Sequence, residues 1–178
     1  MYPHLFDLEP ERDPDPEPKR DPAPESVRIH DVFISFRGED TRSSFVSHLY
    51  AALQNAGIKV FKDDNELQRG DHISKSLLSA IEESKISLIV FSKNYANSRW
   101  CLDEVKKIMK CYRTIGQKVV PVFYHLEPSE VRHQTGEFGI SFQSLLNKIS
   151  NEKELVQSWR EALLQATSIA GSVIHKCG

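Results

Sequence analysis

Three short, almost wholly apolar runs constrain the fold of this chain more than any other feature of its sequence. They are DVFISF (Asp31–Phe36), ISLIVF (Ile86–Phe91) and VVPVFY (Val119–Tyr124). Such runs are too apolar for strands with one solvated face, and are typical of parallel strands that are buried on both faces. Amphipathic segments of helical period separate them, and Ile58–Phe61 predicts one further strand. The alternation predicts right-handed βαβ units, and hence an α/β fold with a parallel sheet covered by helices on both faces.

The first 29 residues differ in composition from the rest, because seven of the nine prolines lie there and alternate with acidic residues. Such a segment cannot bury enough apolar surface to offset its ordering entropy, so we expect residues 1–29 to form a disordered leader. The predicted folded domain covers residues 30–172, with a tail at 173–178. Pro121 predicts that the last apolar run lies toward a sheet edge or contains a local irregularity. Ser150 and Asn151 leave little room for another strand before the last helix, so we expect a four- to five-stranded sheet.

Composition argues against several classes of function. The net charge is −2 and the chain has no basic block, which argues against nucleic acid as the main partner. The sequence contains no signal peptide and no apolar run of transmembrane length, so we expect no membrane partner. The three cysteines (Cys101, Cys111 and Cys177) lack metal-ligand spacing and leave an odd count, which favours the reducing cytosol or nucleus. The sequence has no Walker loop, GxGxxG or GxSxG motif, and its seven histidines have no metal spacing.

The segment SRWCLDEVKKIMKCY (Ser98–Tyr112) is predicted to be one amphipathic helix, with Ser98 or Asn97 as its N-cap. The apolar stripe of this helix consists of Leu102, Val105, Ile108, Met109 and Tyr112. Trp100 and Glu104 are four residues apart, so they lie about 40° from each other, at the edge of that stripe. A carboxylate at the rim of a core, with an aromatic ring one turn before it, can face a pocket. The alternative is an ordinary flanking glutamate on a helix that happens to begin with a tryptophan.

Ligands of open parallel sheets bind outside the carboxyl ends of the strands. Four predicted segments meet at that edge: Arg37–Thr41, Lys62–Asp71, Ser92–Trp100 and His125–Gly136. A guanidinium at Arg37 could hold a phosphate or a carboxylate with two hydrogen bonds. The alternative for Arg37 is a salt bridge to Glu39, Asp40 or Asp64 of the chain itself. An anion-binding arginine, a flat tryptophan and a carboxylate at one edge suit a nucleotide.

Several motifs resemble those of the Toll/interleukin-1 receptor (TIR) domain and follow one another in the same order. They are most similar to the plant version, which forms the N-terminal domain of many intracellular immune receptors. The motifs are HDVFISFRGEDTR (His30–Arg42), RGDHI (Arg69–Ile73), ISLIVFSKNYANSRWCLDE (Ile86–Glu104) and VVPVFYHLEPSEVRHQTGEFG (Val119–Gly139). The resemblance covers about residues 30–172. It departs from the family at Val105, where leucine is usual, and in the proline-rich leader.

The resemblance implies a flavodoxin-like fold and an enzyme that cleaves the nicotinamide–ribose bond of NAD⁺ and sometimes of NADP⁺. Glu104 then matches the catalytic glutamate of the WCLxE motif, and Trp100 matches a residue of the substrate pocket. The other implied substrate contacts are Phe36, Arg37, Gly38, Glu39, Asp40 and Thr41 of the FRGEDT motif, and Asn65 of the mobile loop Lys62–Asp71. Ser47 and His48 match the Ser-His pair of a self-association surface. NAD⁺ is the substrate in this interpretation, and neither a resident cofactor nor a metal is expected.

Two functions stay open. The first is an NAD⁺ hydrolase of plant innate immunity, active when associated with other TIR domains and signalling defence or cell death. The second is a non-enzymatic adaptor that only docks other TIR domains. The presence of Glu104, Trp100 and Arg37 favours the enzyme. The nucleotide-binding and leucine-rich parts that often follow a plant TIR domain are absent from this sequence, so we expect a TIR-only protein or a piece of a receptor.

Overall fold

The computed structural model describes residues 28–62 and 73–177. Most of the predicted leader, and Asn65 with most of its loop, lie outside the described residues. The strands are β1 (His30–Phe36), β2 (Val60–Lys62), β3 (Ser84–Phe91), β4 (Lys118–Tyr124) and β5 (Ser172–Ile174). The helices are α1 (Gly38–Thr41), α2 (Phe45–Asn55), α3 (Lys75–Glu82), α4 (Arg99–Ile115), α5 (Pro128–His133), α6 (Gly136–Lys148) and α7 (Lys153–Thr167), with a 3₁₀ turn at Tyr95–Asn97.

The five strands form one parallel sheet in the order β2-β1-β3-β4-β5. This arrangement confirms the predicted flavodoxin-like α/β fold. β2 lies on one side of β1 and β3 lies on the other. The direction in which successive strands join the sheet therefore reverses between β1 and β3. Crevices at such a reversal, outside the carboxyl ends of the strands, are where ligands of open α/β sheets bind.

The side chains of β1 alternate between the two faces of the sheet. Val32, Ile34 and Phe36 pack in a hydrophobic cluster with residues of α2. Phe33 packs on the opposite face, in a larger cluster that includes residues of α3, α4, α6 and α7. By the same alternation Ser35 faces this larger cluster. β1 therefore presents a single hydroxyl to the side of the sheet that α4 covers.

The fifth strand follows the last helix, and no strand lies in the described residues between α6 and α7, as the little room at Ser150 and Asn151 predicted. β5 pairs with β4 along Ser172–Ile174 and extends beyond residue 172, where the predicted domain ends. β5 is only three residues long and largely exposed, which leaves almost no periodic signal in the sequence. The sheet therefore reaches into the segment that was assigned to the tail.

Pro121 lies in β4, one strand in from the edge of the sheet. A Cβ on Gly171 would fall 2.2 Å from the carbonyl oxygen of Pro121, which shows that this carbonyl faces β5. The N–H and C=O of one residue point to the same side of a strand, so the N–H that proline lacks would also face β5. Pairing between the two strands begins only at Val122 and Ser172. The late start of β5 therefore accommodates the proline without a lost ladder hydrogen bond.

Ser98 caps α4, as predicted, because its Oγ accepts a hydrogen bond from the Cys101 amide at 3.1 Å. The helix ends at Gly116, whose φ of 65° lies in the left-handed region that glycine adopts without strain. The predicted apolar stripe is buried as far as Met109, but Tyr112 is 44% exposed, so its assignment to the stripe is wrong. No helix within residues 28–62 and 73–177 is long and apolar enough to cross a membrane.

Candidate active site

Glu104 and Trp100 are buried in the structure, with exposed fractions of 2% and 6%. The edge of the apolar stripe, where both residues were predicted to lie, is therefore covered in the folded protein. A helical wheel considers one contact face only, whereas α4 packs against β1 and β4 on one side and against α3 and α7 on others. The carboxylate of Glu104 is thus enclosed beneath the sheet. Burial of a carboxylate costs free energy unless hydrogen bonds compensate it.

Ser35 contacts this carboxylate directly. The Oγ of Ser35 lies 3.3 Å from Oε1 of Glu104, and both side chains are buried. Ser35 was not among the site residues predicted from the sequence. A signal was nevertheless available, because Ser35 is the only polar residue between Val32 and Phe36 in an otherwise apolar strand.

Tyr95 is the second buried side chain that the sequence analysis did not single out. Its hydroxyl lies 2.7 Å from Ser35 Oγ and 3.0 Å from the carbonyl oxygen of Cys101, to which it can donate. The ring packs edge-on against Phe91, with 5.1 Å between ring centroids and an interplanar angle of 69°. Tyr95 is held by the 3₁₀ turn that follows β3, and no helical or strand period predicts the direction of a side chain there.

The end of β1 is joined to the first turn of α4. The thiol of Cys101 lies 3.6 Å from the carbonyl oxygen of Phe36, as a weak donor to it. The Phe36 ring belongs to the opposite face of the sheet, where the guanidinium of Arg42 lies 5.6 Å from the ring centroid. The Phe36 backbone, and not its ring, therefore lies on the Glu104 side. Arg37 follows immediately and lies at the junction of β1 with the N-terminus of α4.

Arg37 forms an ion pair of 3.2 Å with Glu39, which was the alternative interpretation of this arginine. The Glu39 side chain is 68% exposed, whereas that of Arg37 is 22% exposed. An ion pair with so exposed a partner contributes little to stability, about 0–1 kcal/mol. The pair would therefore not prevent Arg37 from binding an anion.

Arg37–Thr41 is one of the four segments predicted at the carboxyl edge of the sheet, and Gly38–Thr41 within it forms the short helix α1. Thr41 is buried, and its hydroxyl donates to the carbonyl oxygen of Arg37 at 3.2 Å. A Cβ on Gly38 would lie 2.5 Å from the guanidinium of Arg42. Gly38 and Thr41 of the FRGEDT motif therefore stabilise the conformation of the chain directly after β1.

Asp40 connects two loops at the point where the strand order reverses. Its carboxylate accepts hydrogen bonds from Ser92 Oγ (2.5 Å), from the Asn94 amide (2.9 Å) and from Asn94 Nδ2 (2.7 Å). The loops after β1 and β3 are held together by this one side chain. Asp40 was predicted as a substrate contact, but its carboxylate is committed to protein groups in the structure.

A cleft of about 380 Å³ lies beside Asp40. It is lined by Glu39, Asp40, Ser92, Lys93, Asn94, Tyr124, His125, Glu137 and Lys176. The predicted substrate contacts thus lie at two adjoining places, which the Arg37–Glu39 ion pair connects. Glu104, Trp100 and Arg37 belong to the junction of β1 with α4, whereas Glu39 and Asp40 line the neighbouring cleft.

Ser47 and His48 lie on α2, and both side chains are exposed. They are therefore accessible to another protein, on the face of the sheet opposite to Glu104. Among the residues that the structure describes, no group of three or more histidine, cysteine or acidic side chains could hold a metal ion.

Comparison with known proteins gives matches along almost the whole chain. The family model described as the TIR domain matches residues 29–178. The chain is 53% identical over 142 residues to the disease resistance protein RPV1 of Vitis rotundifolia, and 49% identical over 143 residues to the TMV resistance protein N of Nicotiana glutinosa. Each of these alignments covers 80% of this chain, which spans only 10% and 12% of the length of the two proteins.

The fold also matches a solved plant immune complex. The TIR domains in the structure of the activated Roq1 resistosome, which directly recognises the pathogen effector XopQ, align with a TM-score of 0.74 at 48% identity. The alignment covers 81% of this chain and 87% of that one. This chain therefore belongs to the TIR domain family, and it is similar to the TIR domains of plant disease resistance proteins.

Proposed function

We propose that this chain is an NAD⁺ nucleosidase of plant innate immunity, which also accepts NADP⁺ and uses Glu104 as its catalytic carboxylate. The proposal rests on one observation, the burial of the Glu104 carboxylate at a strand–helix junction that Arg37 and Trp100 share. A well-packed apolar residue would serve stability better at a position with 2% exposure. An acidic side chain at such a buried position is therefore a candidate catalytic group.

The chemistry of NAD⁺ suits a single buried carboxylate. Nicotinamide leaves as a neutral molecule from a cationic pyridinium, so the leaving group needs little help from an acid. Positive charge develops on the ribose as the bond breaks, and an oxocarbenium-like sugar of this kind is stabilised by a nearby negative charge. Burial strengthens that attraction, because charges interact more strongly in a medium of low dielectric constant. Water or the adenine of the same molecule then attacks the ribose carbon.

Arg37 is proposed to hold a phosphate oxygen of the dinucleotide, with Trp100 beside the nicotinamide end of the site. We expect Arg37→Ala to raise KM for NAD⁺ about tenfold and to change kcat little, because a lost charge-assisted contact to a distant phosphate weakens uniform binding. Initial rates of nicotinamide release at varied NAD⁺ concentration measure both constants.

Glu39→Gln is the matched control for this experiment. It removes the ion pair of Arg37 but keeps the guanidinium. If Arg37 acts only through that pair, the two variants will change KM equally, which would contradict the nucleotide role. If Arg37 binds the phosphate, only Arg37→Ala will raise KM.

We further propose that activity requires self-association through Ser47 and His48. The proposal is supported by the similar TIR domains of Roq1, which are part of an activated resistosome. An isolated domain is expected to associate weakly, because small interfaces give marginal affinity. Specific activity should therefore rise steeply with protein concentration. Strict proportionality of rate to concentration, from nanomolar to high micromolar protein, would contradict self-association as the switch.

Ser47→Arg tests the proposed surface. We expect the long charged side chain to prevent close approach of two α2 helices and to reduce specific activity at high protein concentration about tenfold or more. Sedimentation velocity of the same samples should show loss of the associated species. Gln143→Arg, an equivalent change of an exposed residue on α6, is the control and should leave both measurements unchanged.

The alternative function is that of an adaptor that docks other TIR domains without cleaving NAD⁺. The exposure of Ser47 and His48, on the face away from Glu104, would serve docking in either case. In both cases we place the protein in the cytoplasm or nucleus, since Cys101, Cys111 and Cys177 form no disulfide. The nucleotide-binding and leucine-rich parts of a receptor are its proposed partners, in addition to other TIR domains.

A further inference from the structure

Three buried polar side chains form a chain of hydrogen bonds that ends at a backbone carbonyl. Glu104 Oε1 lies 3.3 Å from Ser35 Oγ, which lies 2.7 Å from the Tyr95 hydroxyl, which lies 3.0 Å from the carbonyl oxygen of Cys101. Ser35 and Tyr95 are fully buried and Glu104 nearly so. Each of the two hydroxyls has only one hydrogen to donate, so the direction of the chain depends on the protonation of Glu104.

When Glu104 is protonated, all three contacts can be hydrogen bonds at once. The carboxyl donates to Ser35, Ser35 donates to Tyr95, and Tyr95 donates to the carbonyl of Cys101. When Glu104 is ionised, it can only accept. Ser35 must then give its single hydrogen either to the carboxylate or to Tyr95. In the first case the hydroxyl of Tyr95 can donate to the Cys101 carbonyl or to Ser35, but not to both, so only two of the three contacts are hydrogen bonds.

We propose that Tyr95 is a positioning residue that controls the protonation of Glu104 through the hydroxyl of Ser35. Tyr95 accepts the hydrogen of Ser35, and this favours the protonated carboxyl because only that form completes all three hydrogen bonds. The hydrogen bond from Ser35 to the ionised carboxylate forms only when Ser35 does not donate to Tyr95. The consequence for catalysis rests on the function proposed above, because it assumes that the ionised Glu104 is the active form.

Other ionisable groups lie on α4 itself, on α3, which packs against it, and at the end of β1. They are Cys101, Asp103 and Lys107 on α4, Glu82 on α3, and Arg37 and Glu39 at the end of β1. Asp103 accepts from the indole of Trp159, and Lys107 pairs with Glu82. Because these groups stay unchanged in every variant below, their contribution cancels in a double-mutant cycle.

The test is a pH titration of the Glu104 carboxyl carbon by NMR in the full chain, with the signal assigned by its loss in Glu104→Gln. We expect Tyr95→Phe to move the titration midpoint down by about one pH unit, since Ser35 then always donates to the carboxylate. In the Ser35→Ala background, Tyr95→Phe should leave the midpoint where it is. Ser87→Ala removes a buried hydroxyl that is bonded to Gln117, and in this control background the shift should persist.

An unchanged or raised midpoint in Tyr95→Phe would overturn the proposal. So would a shift of equal size with and without the Ser35 hydroxyl, because that would indicate a general effect of the lost tyrosine hydroxyl on the fold. The NMR titration does not require turnover, so it tests Tyr95 even if the chain fails to cleave NAD⁺. If the chain does cleave NAD⁺, the acidic limb of kcat should move by the same amount in Tyr95→Phe.

Discussion

Glu104→Gln is expected to lower kcat for nicotinamide release about a thousandfold or more, while the chain stays folded. Glutamine has nearly the same shape as glutamate, and its side-chain oxygen can still accept a hydrogen bond from Ser35. It has no negative charge, so it cannot stabilise the positive charge that develops on the ribose. Chromatographic measurement of nicotinamide release, beside the circular dichroism and melting temperature of each sample, checks both parts of this expectation.

Asp103→Asn is the matched control, since it removes the neighbouring acid on the same helix. The Asp103 carboxylate accepts from the Trp159 indole at 3.0 Å, and asparagine retains an oxygen for that bond. Turnover should therefore stay close to that of the wild type. Unchanged turnover in Glu104→Gln, or an equal loss in both variants, would contradict the assignment of Glu104.

Asp40→Ala is expected to lower the free energy of unfolding by about 3 kcal/mol. Three donors of Ser92 and Asn94 lose their acceptor, and Ser92 is almost fully buried, so its hydroxyl cannot turn to water. Urea denaturation of the full chain, followed by circular dichroism, measures the change.

Glu39→Ala removes the adjacent, exposed acid and provides the comparison. Its stability should change by less than about 0.5 kcal/mol. If Asp40→Ala also leaves stability unaltered but strongly raises KM for NAD⁺, then Asp40 contacts the substrate, as the family resemblance implied. We expect the opposite pattern, with a clear loss of stability and a small change in KM.

The sheet could be predicted from the sequence because its strands carry strong local signals. DVFISF, ISLIVF and VVPVFY became β1, β3 and β4, and the cap of α4 at Ser98 was also predicted. β5 could not be placed, because a three-residue edge strand shows almost no period and gains its structure from pairing with β4.

The candidate site was predictable only in part. The family motifs identified Glu104, Trp100 and Arg37. The burial of Glu104 could not be predicted, because it depends on several elements that pack against α4, whereas the hydrophobic period of a helix describes only one of its faces. Ser35 and Tyr95 contact each other across 60 positions of sequence, so no local pattern pairs them. Ser35 and Tyr95 come together because β1 pairs with β3 in the folded sheet, and Tyr95 lies in the turn that follows β3.

The most direct test of the account is nicotinamide release from NAD⁺ by the full wild-type chain fused to an oligomerising helix, so that dilution cannot limit association. We expect sustained release of nicotinamide, over many turnovers per chain, which is lost when Glu104 is replaced by glutamine. No release from folded, demonstrably assembled protein would contradict the enzyme and leave the adaptor as the function of this TIR domain.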